Sequence, residues 1–235
     1  MKLKHTIYFI ALLSIMGFSL PWPFSALFHS TEKFGTNTWF DQRVEAIHYQ
    51  ASNLNTHILK LGLKAYIKAR ERHFSGQREI LTIIDYSKPS SEKRLWVIDL
   101  HSKKVLYNTW VTHGKNSGQM VATSFSNQPG SLKSSFGVFV TDSSPYMGNN
   151  GYSLRLRGLE SGINDNATRR AIVFHGAWYA SPDIISRHGQ LGRSFGCPAV
   201  SDRIAKPLIN TIRNNTIVFA YYPDRQWLRR SVFLA

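Results

Sequence analysis

The sequence predicts a mainly β protein, a β-sandwich or barrel-like domain with few helices, preceded by one amphipathic N-terminal helix. Two patterns predict this class. Over residues 77–235, short runs of branched and aromatic residues alternate with turns rich in Gly, Ser and Asn. Over residues 41–73, apolar residues instead recur at the spacing of a helix. We therefore divide the chain into an N-terminal targeting segment (1–26), a helical segment (27–76) and a β-rich domain (77–235).

The N-terminus has the outline of a secretory signal peptide. Lys2 and Lys4 precede an apolar run over residues 7–20, which ends at Pro21. This run is short for a membrane span, which needs about 20 residues, and an uncleaved membrane anchor is the alternative. We therefore expect the protein to be exported to the periplasm or cell envelope.

The helical segment carries apolar residues at spacings of three and four. Together they form one stripe of a helix: Val44, Ile47, Ala51, Leu54, Ile58, Leu61 and Ala65. Asp41 is the expected N-cap, and basic residues crowd the C-terminal half, where they complement the helix dipole. We expect this helix to pack against the downstream domain rather than to lie on a membrane surface.

The β-rich domain contains seven segments with the composition of strands: residues 80–86, 95–100, 105–112, 136–141, 152–157, 171–175 and 216–222. Polar residues 101–104 predict a hairpin turn between the second and third of these segments. The helical patterns in this domain are a short turn near 182–186 and a helix over about 202–213. Many short strands with few helices favour a sandwich or a barrel.

The chain is strongly basic, with 29 Lys and Arg against 14 Asp and Glu and a formal charge of +15. An exported basic protein suits an anionic partner such as cell-wall polymer, anionic lipid or acidic glycan, and the expected compartment excludes nucleic acid. Because the basic residues are scattered rather than clustered, solubility alone is an equal explanation. The sequence carries no signal of the oligomeric state.

Cys197 is the only cysteine of the chain, so it cannot form an internal disulfide. It lies in a tight turn, Ser194-Phe195-Gly196-Cys197-Pro198, downstream of His175 and Gly176 at the end of an expected strand. A thiol is nucleophilic as the thiolate, and a histidine can supply the base. Gly196 permits unusual backbone angles, so amides of the turn can point at a developing oxyanion. The pattern predicts a cysteine nucleophile, with a buried core residue as the alternative.

Phe174-His175-Gly176 followed by Ser194-Phe195-Gly196-Cys197 resembles the signature of the L,D-transpeptidases of bacterial cell walls, the YkuD-type catalytic domain. The resemblance covers about residues 80–222. It is closest to the murein L,D-transpeptidase branch, and further matching segments are residues 95–100, His113-Gly114, Asn116-Ser117-Gly118, Phe125-Ser126-Asn127, Asn164-Asp165-Asn166-Ala167 and Gly192-Arg193-Ser194.

This resemblance implies attack on the bond between the L-centre of meso-diaminopimelate and the terminal D-alanine of a peptidoglycan tetrapeptide stem. Cys197 matches the nucleophile that forms a thioester, and His175 matches the general base. Gly176 matches the residue whose carbonyl orients the imidazole, and Ser194 supports the turn by hydrogen bonding. An acceptor amine would give a 3-3 cross-link, whereas water would give carboxypeptidase or endopeptidase activity.

We expect neither a cofactor nor a metal ion. Thiolate and imidazole are good zinc ligands, but Cys197, His175 and His188 lack the close spacing of a zinc site and no fourth ligand accompanies them. A non-catalytic wall-binding module on the same scaffold is the alternative from another functional class.

The chain departs from the family pattern at two positions. Many members carry His where this chain has Phe195, and Arg where it has Ala199. If another arginine binds a substrate carboxylate, Arg193 is the first candidate, followed by Arg155 and Arg157. The alternative for each is a solvated surface arginine. We expect three further residues to line the substrate cleft: His113, Trp178 and Phe195. For His113 the alternative is a loop position, and for Trp178 it is core packing.

Overall fold

The described part of the chain, residues 33–235 of a computed structural model, contains nine β-strands and five α-helices. Residues from Gly35 to Ala235 form one unit. The predicted signal peptide, residues 1–26, lies outside the described residues. Within residues 33–235, no helix combines the length and the apolar character needed to cross a bilayer.

The strands are β1 (Ile80–Asp85), β2 (Leu95–Asp99), β3 (Lys104–Thr109), β4 (Gly137–Thr141), β5 (Tyr146–Gly148), β6 (Gly151–Gly158), β7 (Val173–Gly176), β8 (Ala199–Val200) and β9 (Ile217–Tyr221). They form one sheet in the order β3-β2-β1-β9-β4-β6-β7-β8, and β5 pairs with β6. β1 runs parallel to β9 and β7 runs parallel to β8, while the other pairs are antiparallel.

The two ends of this sheet meet, so the predicted barrel-like architecture is confirmed. Beyond the end of β3, the amide of Thr112 donates to the carbonyl of Ala199 at 2.9 Å. The amide of Ser194 donates to the carbonyl of His113 at 3.0 Å. The chain that continues β3 therefore lies against β8 and the turn before it, which leaves the sheet nearly closed.

The α-helices are α1 (Asn37–Gln50), α2 (Thr56–Glu71), α3 (Pro182–His188), α4 (Asp202–Ile212) and α5 (Arg225–Arg230), and a 3₁₀ turn spans Trp178–Ala180. The core of the domain contains apolar residues from both the sheet and α4. α4 presents its apolar face to β7 and neighbouring strands, and Leu208, Ile209 and Ile212 are buried.

The prediction of one N-terminal helix with Asp41 as its N-cap was wrong, because two helices occupy this segment. Thr36 caps α1, and its side chain accepts a hydrogen bond from Trp39 N at 3.3 Å. α1 ends before Ala51, and the side chain of Asn55 caps α2 by accepting from His57 N at 2.8 Å. The apolar stripe continues through the connecting turn, so periodicity alone does not reveal the break.

The expectation that this segment packs against the domain is confirmed. α2 lies against β1 and β9. At Gly62 the approach is close, since an added Cβ atom would meet Ile83 at 3.0 Å and Phe219 at 3.3 Å. The small residue therefore lets the helix axis come near the sheet.

The seven predicted strand segments correspond to β1, β2, β3, β4, β6, β7 and β9, and the predicted hairpin joins β2 to β3. Three elements were missed: β5, β8 and α5. β8 has two residues and α5 has six, so neither is long enough to show a period in the sequence.

Candidate active site

The pairing of β7 with β8 brings the predicted histidine and cysteine segments together. The two strands run parallel, with His175 opposite Ala199 and Gly176 opposite Val200. The turn that carries Cys197 immediately precedes β8. Residues far apart in the sequence are therefore adjacent because one pair of strands aligns them.

His175 is a neutral base in this environment. Its Nδ1 lies 2.7 Å from the carbonyl oxygen of Gly176. Because a carbonyl only accepts, Nδ1 carries the proton and Nε2 keeps its lone pair. Burial lowers the pKa of His175, an effect opposed by the hydrogen bond to Gly176 and by the carboxylate of Asp202. The imidazole is therefore uncharged at neutral pH and able to take a proton at Nε2.

Gly176 has a second structural role beside its carbonyl. An added Cβ atom would lie 2.5 Å from Oδ1 of Asp202 and 2.9 Å from Cβ of Ala205. Any larger residue here would therefore push the first turn of α4 away from β7. The absence of a side chain keeps the Asp202 carboxylate near the imidazole of His175.

The thiol of Cys197 is buried and rests against the start of β7. Its Sγ accepts a hydrogen bond from Val173 N at 3.4 Å and donates to the carbonyl of Ala171 at 3.7 Å. Burial raises the pKa of Cys197, opposed by the Val173 amide and by Arg170. Within residues 33–235, no hydrogen bond joins this thiol to His175. The thiol is therefore protonated at neutral pH, and its contacts are with Val173 and Ala171.

Ser194 fixes the shape of the turn before the cysteine. Its Oγ donates to the carbonyl of Cys197 at 2.6 Å and accepts from Gly196 N at 3.1 Å. The side chain is buried, with 3% of its surface exposed. The predicted supporting role of Ser194 thus has a specific geometry, in which one hydroxyl closes a loop of four residues.

Gly196 is required by its backbone conformation and by its surroundings. Its φ angle is 122°, a region that L-residues rarely adopt. An added Cβ atom would lie 2.7 Å from the carbonyl oxygen of Lys133 and 3.3 Å from Nη2 of Arg170. The turn therefore tolerates no side chain here.

The amides available for an oxyanion are those of Phe195 and Cys197. Gly196 N is already bonded to Ser194, and Pro198 has no N–H. In the described chain, neither Phe195 N nor Cys197 N donates a hydrogen bond. Two free amides beside the thiol match the requirement for stabilising a developing negative charge on oxygen.

Two further residues brace the turn from neighbouring segments, and sequence reasoning missed both. Thr112 Oγ1 accepts from Ala199 N at 3.1 Å and lies 3.5 Å from the carbonyl of Cys197. Ser134 Oγ accepts from Gly114 N at 3.0 Å and donates to the carbonyl of Gly196 at 3.2 Å. Serine and threonine are common in loops, so the sequence held no signal that singled them out.

The prediction that His113 lines the cleft was wrong, because its side chain is fully buried. Nη2 of Arg94 donates to Nδ1 of His113 at 2.8 Å, and Nε2 faces the carbonyl of Gly118 at 3.4 Å. Burial, assisted by the nearby Arg94 charge, lowers the pKa of His113 to about 4. His113 is therefore a neutral, buried side chain that stabilises the turn after β3 through hydrogen bonds.

A surface groove of about 450 Å³ lies beside the cysteine turn. It is lined by Lys115, Trp178, Tyr179, Ile184, His188, Gln190, Leu191, Gly192 and Arg193. Trp178 is 71% exposed and the neighbouring Phe195 is 70% exposed, which excludes core packing for both. The ammonium of Lys115 lies 4.7 Å from the ring centroid of Phe195. The groove thus combines aromatic surface with positive charge.

Of the three candidate arginines, Arg193 lies at this groove. Its Nη1 donates to the carbonyls of Lys115 and Gly118, each at 3.3 Å. Arg155 instead stacks on Tyr146 and Arg157 lies over Phe74. These two arginines therefore serve other surfaces, and Arg193 is the one with access to a ligand near the cysteine turn.

A family model described as an L,D-transpeptidase catalytic domain matches residues 50–221. No curated protein matches the chain.

Solved structures that resemble it include an L,D-transpeptidase in complex with imipenem, with 13% identity, a TM-score of 0.39 and coverage of 61% of this chain and 59% of that one. An L,D-transpeptidase from Mycobacterium smegmatis has 14% identity and a TM-score of 0.38, covering 62% and 59%. One from Stackebrandtia nassauensis has 12% identity and a TM-score of 0.36, covering 77% of each chain. The chain thus spans less than two thirds of the first two structures.

Proposed function

Because this chain belongs to the L,D-transpeptidase catalytic domain family, we propose that it is a peptidoglycan L,D-transpeptidase with Cys197 as its nucleophile. The observation that carries the proposal is the state of His175. Its proton is held on Nδ1 by the carbonyl of Gly176, 2.7 Å away, on the strand next to the cysteine turn. This arrangement leaves a neutral base with a free lone pair beside the only thiol of the chain.

The first step is attack on the tetrapeptide stem. The Cys197 side chain turns from the amide of Val173 toward Nε2 of His175, which takes the thiol proton. The thiolate then attacks the carbonyl carbon of the bond between the L-centre of meso-diaminopimelate and the terminal D-alanine. The resulting oxyanion accepts hydrogen bonds from the amides of Phe195 and Cys197.

Collapse of this intermediate breaks the carbon–nitrogen bond to D-alanine. His175 returns the proton to the leaving amine, so D-alanine departs neutral at nitrogen and the stem remains as a thioester on Cys197. The amine of a second stem then attacks the thioester carbon while His175 accepts its proton. The products are a 3-3 cross-link and the regenerated thiol.

The groove beside the turn is proposed to hold the stem. Trp178 lines the groove with exposed aromatic surface, and exposed Phe195 lies next to Lys115 of the groove. Arg193 supplies a guanidinium for a stem carboxylate. In this scheme Arg193 replaces the family arginine whose position is occupied by Ala199. We place the protein in the periplasm or cell envelope, where peptidoglycan is found, and assign residues 77–235 to the catalytic domain.

The deciding experiment uses purified muropeptides and mass spectrometry. We expect the wild-type protein to release D-alanine and to form 3-3 dimers, and Cys197→Ala to do neither while keeping its fold. His175→Ala should fail in the same way, whereas His101→Ala, a histidine on an exposed turn, should remain active. Full activity of Cys197→Ala would overturn the proposal.

Other product patterns would identify the alternatives. Release of D-alanine without dimers, even with excess acceptor stem, would indicate a carboxypeptidase. Cleavage of existing 3-3 dimers would indicate an endopeptidase. Sacculus binding without any turnover, unchanged in Cys197→Ala, would indicate a wall-binding module.

A further inference from the structure

Arg170 is a half-buried cation that no carboxylate contacts in the described chain. Its Nη1 donates to the carbonyl of Ser126 and to Ser135 Oγ, each at 2.5 Å. Its Nη2 donates to the carbonyl of Lys133 at 2.5 Å and to Ser131 Oγ at 3.2 Å. All of these partners are uncharged, and burial lowers the pKa of Arg170. A guanidinium held in this way lacks a counter-charge.

The same guanidinium lies against the cysteine turn. Nη2 is 3.3 Å from the position that a Cβ atom on Gly196 would occupy. Along the chain, Arg170 is followed by Ala171, whose carbonyl lies 3.7 Å from Sγ of Cys197. The guanidinium of Arg170 therefore lies close to Gly196, and Arg170 directly precedes the residue whose carbonyl the thiol contacts.

The geometry suits a fixed charge better than a substrate ligand. A guanidinium has five N–H donors, and four of the hydrogen bonds they can form are already made to protein groups. A substrate carboxylate would have to displace these groups. A charge that stays in place can instead act on a neighbour without moving.

We propose that Arg170 is the electrostatic partner of Cys197 and stabilises its thiolate form. This inference deepens the proposed function and rests on it, since it gives the nucleophile a source of positive potential other than the histidine base. In the resting enzyme the buried thiol stays protonated. When His175 removes the proton, the nearby guanidinium offsets the cost of a negative charge in a buried site.

In the described chain, three further titratable groups near the cysteine turn are uncharged at neutral pH. They are His175 on β7, Tyr86 after β1 and Tyr179 in the 3₁₀ turn. Burial lowers the pKa of His175, raises that of Tyr86 to about 12 and raises that of Tyr179. Arg170, unlike these three groups, carries its charge across the pH range of catalysis.

The test measures the ionisation of Cys197 directly and needs no substrate. Because the chain has one cysteine, ¹³Cβ labelling of cysteine gives a single NMR signal whose titration reports the thiol pKa. Arg170→Gln should raise this pKa by about one unit and slow alkylation of the folded protein about tenfold at a fixed pH below it. Arg170→Lys, which keeps the charge, should recover part of the shift. Arg169→Gln, at the exposed neighbouring arginine, should titrate like the wild type.

A folded Arg170→Gln protein with a wild-type thiol pKa would overturn the inference, even if it had lost transpeptidase activity, and would leave the proposed function standing. If the Arg170 variants do not fold, an NMR titration of the wild-type protein tests the inference instead. Ionisation of Cys197 should then shift the guanidinium NMR signals of Arg170 with the same pH midpoint. These signals should stay constant over that midpoint in Cys197→Ala, and their failure to move in the wild type would equally overturn the inference.

Discussion

The thiol of Cys197 accepts a hydrogen bond from the amide of Val173 at 3.4 Å. Val173 and His175 lie two residues apart on β7, so their side chains point to the same face of the strand. The thiol therefore rests on the backbone of β7, two residues before His175 on the same strand. In the proposed mechanism, activation begins with a rotation of the cysteine side chain away from Val173 and a proton transfer to His175.

The first prediction concerns the pH dependence of acylation. His175 must be neutral to act as a base, and burial lowers its pKa from the usual 6.5. The single-turnover rate of stem acylation should therefore fall only below pH 6.5, as the pH passes through the lowered pKa of His175. We call this fall the acid limb. Asp202→Asn removes a carboxylate that raises the pKa, so it should move this acid limb to still lower pH. Asp183→Asn, on exposed α3, should leave the limb unchanged, and a limb at or above pH 6.5 would contradict the neutral-base assignment.

The second prediction concerns the backbone at Gly196. Gly196→Ala places Cβ 2.7 Å from a carbonyl oxygen at a φ of 122°. We expect a loss of at least about 2 kcal/mol in the free energy of unfolding, together with loss of acylation. Gly162→Ala is the matched control, because Gly162 also has positive φ, 75°, but no atom within 4 Å of an added Cβ. It should cost about 1 kcal/mol from backbone strain alone and leave acylation intact. Equal costs in urea unfolding would show that the contact with Lys133 is unimportant.

The third prediction concerns the hydroxyl of Ser194. Ser194→Ala removes the donor to the Cys197 carbonyl and the acceptor for Gly196 N. Because both groups are buried, we expect a loss of about 1–3 kcal/mol in thermal or urea unfolding. Acylation should slow more than stability alone explains, since the amides of the turn lose their fixed direction. Ser194→Thr should keep most of the stability and most of the acylation rate. Ser186 is an exposed helical serine, so Ser186→Ala should change neither the stability nor the rate.

The fourth prediction concerns acid stability. The pKa of His113 is about 4 in the folded protein because of burial and Arg94. A depressed histidine pKa stabilises the fold above the unfolded value of about 6.5, and this contribution disappears as the pH falls from there to about 4. Its size is about 3 kcal/mol for His113. Urea unfolding at several pH values should show a flatter acid dependence in His113→Gln than in the wild type.

Other buried groups also titrate in this range, so the comparison with the variant is essential. His175 acts in the same direction as His113. The carboxyls of Asp85 and Glu160 act in the opposite direction, because burial raises their pKa values. An acid dependence that is identical in wild type and His113→Gln would contradict the prediction.

The fifth prediction concerns substrate binding by Arg193. Arg193→Ala removes a guanidinium from the groove beside the turn. We expect KM for the tetrapeptide stem to rise about tenfold or more, consistent with loss of a charge-assisted hydrogen bond. The change in kcat should be smaller. Arg187→Ala, an exposed arginine of α3, is the control. With a stem amidated at the carboxylate that Arg193 binds, wild type and Arg193→Ala should have the same KM.

The sequence by itself determined the class of the fold and led to the prediction that Cys197 and His175 act as a pair. Runs of branched and aromatic residues indicate strands locally, and seven segments were recognised for that reason. A lone cysteine after Gly196, downstream of His175, was recognisable because both lie in short motifs. These features depend on residues that are neighbours along the chain.

Only the tertiary structure decided how the thiol is held, which groups surround it and which groups bond to each histidine. Arg170, Thr112 and Ser134 reach the cysteine turn from segments that are remote in sequence and have no distinctive composition. His113, like His175, lies in a His-Gly motif that predicts a functional role. Its buried hydrogen bond with Arg94 instead gives it a structural role. The physical reason is common to all four. Burial, direction and charge partners arise from contacts between distant segments, and those contacts exist only once the sheet has closed.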